Sequence, residues 1–273
     1  PWTSTFSRPP SHGADRVIMP ESQPAPPTLP SASSLRPGSV AAILPAAGSG
    51  KRFGAERNKL FTLLAGRPLW SHAAARLAAR PEVGPVVLAI SEDDREVFEG
   101  RESALVKQSR VQLVTGGAER TDSVRAALDS LAGDDSLQWV AIHDAARPLV
   151  DDDDLRAVFQ AASVSDAAIL ATPMAGTVKR DLGDQQRSET VDRRDLWIAL
   201  TPQVFRLGLL NQAYQKHNGR PATDDAQLVE RLGHPVALVR GSADNLKITF
   251  PEDLLVAEAI LARQRKHVAT QTS

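Results

Sequence analysis

The chain of 273 residues is 42% hydrophobic and 24% charged, ordinary for a soluble globular protein with one large α/β domain or two small ones. Its net charge of −1 supplies no global basic field to recruit nucleic acid, so any anion site must be local. The lack of cysteine excludes disulfides, thiolate metal sites and cysteine nucleophiles and is compatible with a cytoplasmic home, and no stretch approaches the ~18 apolar residues of a membrane span.

Residues 1–38 are rich in proline and serine, with little periodic apolar content, and read as a disordered tail. They lack the apolar core of a signal peptide. Arg8, Arg16 and Arg36 among serines are compatible with a transit peptide, whereas Asp15 and Glu21 argue against one. The folded domain is expected over 39–266, with a frayed end at 267–273. Within it, Val40 to Leu44 has the bulk of a buried strand. Gly66-Arg67-Pro68 is a turn, Leu69 to Arg80 a helix and Val86 to Ile90 a second strand. Ser91 is a candidate N-cap, with Asp93 and Asp94 in the first turn of the next helix. Val111 to Val114, Trp139 to Ile142 and Ala167 to Ala171 read as further strands. Arg120 to Leu131 and Asp151 to Ala162 read as helices, the second opened by a run of aspartates suited to a helix N-terminus.

This alternation, with short connections, implies a mostly parallel sheet covered on both faces. Residues 172–195 interrupt it. Asp181, Gly183 and Asp184 supply turn chemistry between two polar segments, so the stretch reads as a hairpin arm too poor in large apolar side chains for the core. It is expected to reach outward, onto a second copy. Beyond it come Leu196 to Leu200, helices near 206–216 and 223–232, strands at Val236–Val239 and Leu246–Thr249, and a helix starting at Pro251.

Polar clusters follow three of the strands, at 45–59, 115–123 and 143–148, and a parallel sheet gathers such loops at one edge, where ligands bind. The first is the most informative. Pro45, Ala46, Ala47, Gly48 and Gly50 let backbone N–H groups approach an anion, and Lys51, Arg52 and Lys59 add fixed cations. It is not a P-loop, because Pro45 stands where a glycine is needed and Arg52 where a serine or threonine is needed. Nor is it a dinucleotide fingerprint, since Phe53 occupies the place of the third glycine.

Seven blocks in order carry a family resemblance. They are Pro45-Ala46-Ala47-Gly48-Ser49-Gly50 with Arg52 and Lys59; Gly116-Gly117-Ala118-Glu119-Arg120 with Asp122-Ser123-Val124; His143-Asp144-Ala145-Ala146-Arg147-Pro148; Thr190-Val191-Asp192-Arg193; Leu200-Thr201-Pro202-Gln203; Thr223-Asp224-Asp225-Ala226; and Asp244-Asn245-Leu246-Lys247-Ile248-Thr249 before Pro251-Glu252-Asp253. Together they resemble the 2-C-methyl-D-erythritol 4-phosphate cytidylyltransferases, the CTP-using enzymes of the non-mevalonate isoprenoid pathway. The resemblance covers about Val40 to Arg263 and implies a Rossmann-like nucleotidyltransferase fold.

The resemblance implies that Arg52 and Lys59 hold the triphosphate and its transition state, and that Lys247 acts near the α-phosphate. Pro45, Ala46, Ala47, Gly48, Gly50, Gly117, Ala118, Ser123, Asp144 and Ala145 would bind CTP. Thr177, Arg193, Thr201, Thr223 and Arg147 would bind the polyol phosphate acceptor. Mg²⁺ is implied with the triphosphate, Asp144 being the first carboxylate candidate and Asp244 the second. A homodimer through the hairpin arm is implied too, with no nucleic-acid or membrane partner. His143 is read as structural, because a phosphate monoester is already ionised and needs no general base. The length leaves no room for a fused cyclase of the same pathway. The sequence departs from the family at Asn58, Leu60 and Phe61 around the second lysine, and at Gly176 and Ala118. Rival readings are a ribitol 5-phosphate cytidylyltransferase, a non-catalytic nucleotide-binding protein and a dinucleotide-dependent hydride transferase.

Overall fold

Side chains of strand β1 (Val40–Pro45) alternate between two cores. Val40, Ala42 and Leu44 join one apolar cluster and Ala41 and Ile43 the other, as the two-residue period of a strand dictates. Ile43 and Leu44 are fully buried, each burial stabilising by roughly 1.5–3 kcal/mol before chain ordering is counted. The computed structural model describes residues 35–48, 58–183 and 187–271, with side chains to 266.

After β1, the hairpin β2 (Leu63–Leu64) and β3 (Arg67–Pro68) leads to α1 (Leu69–Ala78) and β4 (Val83–Ile90). Two short helices follow, α2 (Arg95–Glu99) and α3 (Ser103–Gln108), then β5 (Val111–Thr115), α4 (Arg120–Ser130), β6 (Trp139–Ile142), α5 (Asp152–Ser165) and β7 (Ala167–Pro173). A second hairpin pairs β8 (Val178–Asp181) with β9 (Ser188–Val191). The chain then forms β10 (Trp197–Arg206), α6 (Leu207–Gln215), α7 (Asp225–Glu230), β11 (Ala237–Arg240) and α8 (Asp253–Gln271).

The main sheet has seven strands in the order β11-β7-β10-β6-β1-β4-β5. β10 runs antiparallel to both neighbours, and the other pairs are parallel. On one face of the sheet α1 brings Trp70 and Leu77, and α5 brings Val158 and Phe159, into one core cluster. On the other, α4, α6 and α7 bring Val124, Leu210 and Val229. From β1 the chain adds strands first toward β5 and then, from β6, on the other side, so the strand order reverses beside β1. That reversal opens a crevice at the carboxyl ends of the strands. The expected α/β fold, with its mostly parallel sheet and separate hairpin, is therefore the observed one.

Several local expectations change. Leu246–Thr249 is not a strand: its backbone makes isolated bonds, Ile248 N–H donating to Ala146 O at 2.9 Å and Thr249 N–H to the Asp253 carboxylate at 2.7 Å. Only Ile248 is fully buried there, in a third cluster with Leu64, Leu69, Leu149, Ala257 and Leu261. The Ser91 hydroxyl does not cap a helix but donates to Asp94 at 2.8 Å. Asp151 does cap α5, accepting from Asp154 N–H at 2.8 Å. At the ends, Leu35 is already buried in the main core, inside the stretch expected to be tail, and α8 continues helical to Gln271. Residues 1–34 lie outside the described residues. Among the described residues no helix is long and apolar enough to cross a membrane.

Candidate active site

Three strand ends build the crevice, and ladder bonds continue past each of them. Ala46 N–H donates to Ala89 O at 2.7 Å, Gly116 N–H to Ile90 O at 2.7 Å and His143 N–H to Ile43 O at 2.9 Å. The loops after β1, β5 and β6 are thereby held side by side. Between them lies a cavity of about 400 Å³. Its walls include Pro45, Ala46, Ala47, Gly48, Lys59, Gly117, Ala118, Ser123, Asp144, Ala145 and Lys247, so separate sequence blocks meet in one hollow. Gly50 and Arg52 lie outside the described residues.

Close packing fixes the small residues of the wall. A Cβ on Gly117 would collide with Asp122 Cβ, and one on Gly116 would stand 2.6 Å from Ser123 Oγ and 2.8 Å from Ala47 Cβ. Ser123 is buried, and its hydroxyl accepts from Gly117 N–H at 3.2 Å and donates to Glu119 O at 3.2 Å. Its hydroxyl holds the loop. Glu119 and Asp122 form a reciprocal capping box at the start of α4, which sets the loop's exit.

Lys59 is placed by a 3-10 turn over Lys59–Phe61 whose cap is Asn58. Asn58 Oδ1 accepts from Leu60 N–H at 3.1 Å, while Nδ2 donates to Asp94 at 2.7 Å and to Ala46 O at 3.3 Å. A residue that departs from the family pattern thus ties the lysine's turn to the end of β1. Phe61 packs on Phe98 with ring centroids 5.0 Å apart. Lys59 Nζ donates to Ile248 O at 2.8 Å.

Asp144 is the electrostatic centre. Its carboxylate lies 2.8 Å from Lys247 Nζ, 3.5 Å from Arg147 Nε and 3.6 Å from Arg120 Nε. Burial alone would raise its pKa, but Lys247, Arg120 and Arg147 together hold it well below the ordinary carboxylate range. Asp144 therefore stays ionised, and three cations around one carboxylate leave net positive charge for a ligand.

A second cavity, of about 280 Å³, adjoins the first and shares Arg120, Asp144 and Lys247 with it. Arg147, Thr201 and Thr223, expected on the acceptor side, line it. Arg147 is aimed by its Nη1, which donates to Asn245 O at 2.7 Å. The Thr201 hydroxyl is partly committed elsewhere, accepting from Asp144 N–H at 3.0 Å and lying 3.0 Å from His143 Nδ1. His143 Nε2 is 2.9 Å from Arg147 O, which can only accept, so Nε2 carries the proton and Nδ1 accepts from Thr201. Burial pushes the His143 pKa down to about 4 against the weaker pull of the Arg147 carbonyl, keeping the ring neutral. Both ring nitrogens are thus engaged within the protein, in keeping with the structural reading of His143.

Three expected site residues stand apart from both cavities. Thr177 is exposed beside β8. Arg193 is exposed and donates to Ala175 O. Asp244 pairs with Arg263 rather than facing the hollow. Conversely, Arg120 and Gln203 reach the site without having been assigned a role. Gln203 Oε1 accepts from the N–H groups of Asp225 and Ala226 at 3.1 and 3.0 Å, and its Nε2 donates to Asp224 at 2.8 Å, seating the start of α7. The signal for Arg120 was a cation at the first residue of a helix, against the macrodipole.

A mostly parallel α/β sheet with a small-residue anion loop, converging lysines and two joined cavities defines a nucleotidyltransferase. The chain belongs to the 2-C-methyl-D-erythritol 4-phosphate cytidylyltransferase family, whose profile matches residues 40–263. It is 56% identical over 232 residues to the protein of that name from Rhodopirellula baltica, covering 82% of this chain and 95% of the relative. The Bacillus velezensis protein of the same name is 41% identical, over 80% of this chain and 94% of the relative. Among solved structures, the Thermus thermophilus cytidylyltransferase superposes with a TM-score of 0.66 at 36% identity, covering 82% of this chain and 99% of that one. A 4-diphosphocytidyl-2C-methyl-D-erythritol synthase gives 0.69 at 30% identity, over 84% of this chain and 100% of that one.

Proposed function

We propose that this chain transfers the cytidylyl group of CTP to 2-C-methyl-D-erythritol 4-phosphate, giving 4-diphosphocytidyl-2-C-methyl-D-erythritol and pyrophosphate. A phosphate oxygen of the acceptor attacks the α-phosphorus, the bond from that phosphorus to the bridging oxygen breaks, and pyrophosphate leaves. The acceptor phosphate is already ionised, so no general base is needed. Catalysis then consists of alignment and fixed positive charge where negative charge grows. The observation that carries this reading is the pair of adjoining cavities with Arg120, Asp144 and Lys247 in both. One suits a nucleotide and the smaller one a short polyol phosphate. Lys59 and Lys247, and Arg52 from outside the described residues, would serve the triphosphate and the transition state.

Mg²⁺ fits this donor set in one way only. Among the described residues no three His, Cys, Asp or Glu side chains cluster as a cage. Of the two carboxylates that line the larger cavity, Glu119 is engaged in the capping box of α4, whereas Asp144, though paired with Lys247 at 2.8 Å, faces both cavities. A single carboxylate suits an ion that takes most of its oxygens from phosphate and water. Asp144 would hold it, and bound Mg²⁺ would neutralise the triphosphate. Asp244, engaged by Arg263, is the weaker candidate.

The working form would be a cytoplasmic homodimer joined through the hairpin arm, with Thr177 and Arg193 completing the partner's acceptor pocket. The support is an exposed apolar stretch, Leu196, Trp197 and Ile198, beside the hairpin, and exposed Leu182 on it. Pyrophosphate release should be measured with CTP, UTP and ATP, each against 2-C-methyl-D-erythritol 4-phosphate and ribitol 5-phosphate. Release only with CTP and methylerythritol phosphate is expected. Preference for ribitol 5-phosphate would reassign the acceptor, and CTP binding without release would leave a nucleotide-binding protein.

A further inference from the structure

Arg120 opens helix α4, where the helix dipole disfavours a cation, yet it is held there firmly. Its Nη1 donates to Asp225 Oδ2 at 2.5 Å. Asp225 is completely buried, and its other oxygen accepts from the Tyr214 hydroxyl at 2.5 Å. One edge of the guanidinium is therefore clamped to the core. The rest is less well satisfied. Nε stands 3.6 Å from Asp144, beyond hydrogen-bond length, and Nη2 is buried with no hydrogen-bond partner. The side chain nevertheless keeps 28% of its surface exposed and lines both cavities.

We propose that Arg120 is a substrate-positioning residue that grips the attacking phosphate of the acceptor where the two cavities meet. The proposal rests on the reaction assigned above. An attacking phosphate must stand at the border of the nucleotide and acceptor cavities, and Arg120, Asp144 and Lys247 are shared by both. Asp144 is ionised and cannot donate to a phosphate, so the border offers two cations. Lys247 is a compact charge already 2.8 Å from Asp144. Arg120 has a planar fork with spare donors, a geometry matched to two phosphate oxygens at once. The Asp225–Tyr214 clamp sets the plane of that fork, so orientation is fixed before the substrate arrives.

The test is the steady-state kinetics of Arg120→Gln and Arg120→Lys, with CTP and 2-C-methyl-D-erythritol 4-phosphate varied separately, beside thermal melts. Arg120→Gln should raise the KM for the polyol phosphate on the order of 10–100-fold, as expected for a lost charge-assisted hydrogen bond, and leave the KM for CTP nearly unchanged. Arg120→Lys should recover only part of the loss, because a point charge lacks the fork. Equal rises in both KM values, or unchanged kinetics, would overturn the proposal. Calorimetric titration of the polyol phosphate into each protein reads the same contact without turnover. A wild type that binds it but releases no pyrophosphate defeats the assigned reaction, and the binding ratio then still judges Arg120. A wild type that binds none of it defeats both.

Discussion

Lys59 Nζ donates to the main-chain oxygen of Ile248 at 2.8 Å, one residue beyond Lys247. Two cations 188 positions apart in the chain are thereby tied through one residue, Ile248. Ile248 is fully buried among Leu64, Leu69 and Leu261, so the core itself fixes that peptide. Lys59→Ala and Lys247→Ala should each lower the rate of pyrophosphate release on the order of 10²–10³-fold, by analogy with removal of one preorganised oxyanion donor. The double variant should lose less than the product of the two, because residues in one network do not act independently. Full additivity would show that the two lysines contribute independently.

Gly117 faces Asp122 so closely that no side chain can be added without displacement. Gly117→Ala should push Asp122 out of the capping box that starts α4 and shift the loop held by Ser123. The expected outcome is a higher KM for CTP and a loss of about 1–3 kcal/mol in stability, the usual cost of overpacking. Urea unfolding and CTP titration check the two parts, and an unaltered KM would remove the loop from nucleotide binding.

Leu196 and the first two residues of β10, Trp197 and Ile198, present large apolar surface. Such a stretch is a ready contact for a second copy. If the proposed arm-to-arm dimer forms, Ile198→Asp should yield monomer in sedimentation velocity and reduce turnover, because the proposed reach of Thr177 and Arg193 into a partner's pocket would be lost. A monomeric wild type with full activity would confine the acceptor site to one chain.

What could be read from the chain itself followed from residue type and spacing. The buried strand at Val40 to Leu44, the helix opened by aspartates and the strand-end position of each polar cluster all express local rules. The exceptions have tertiary causes. Lys247 lies on a segment with a strand-like pattern, but the seat under Ile248 belongs to α1, α8 and the loop at Leu149, so no ladder forms. Arg120 acquires its place from Asp225, which no local pattern announces. The run at 151–154 starts α5, with Asp151 as its cap. Its last member, Asp154, also accepts from Ser242 N–H at 3.0 Å and so anchors the segment that carries Lys247. Asn58 shows the reverse case, a departure from the family pattern that the structure uses as a cap.

The buried His143 makes stability depend on pH in a window that can be stated in advance. Its pKa is 6.5 for the free side chain and is pushed down to about 4 in the fold, chiefly by burial. Between those values the unfolded chain binds the proton and the folded chain does not, so stability rises with pH there. The contribution is complete above pH 6.5 and is lost as pH falls toward 4, amounting to about 3 kcal/mol. Asp154, pushed up to about 6 by burial, opposes this, because its folded form takes up the proton first. A wild-type curve alone would mix the two, and comparison with a variant separates them. His143→Gln retains polar atoms facing Thr201 and Arg147 but cannot titrate. The stability difference between wild type and His143→Gln should therefore shrink by about 3 kcal/mol between pH 6.5 and 4, read from urea midpoints. A constant difference across that range would mean that the ring is protonated in the fold. Nδ1 would then donate to the Thr201 oxygen, which also accepts from Asp144 N–H, while Nε2 would go on donating to the Arg147 carbonyl.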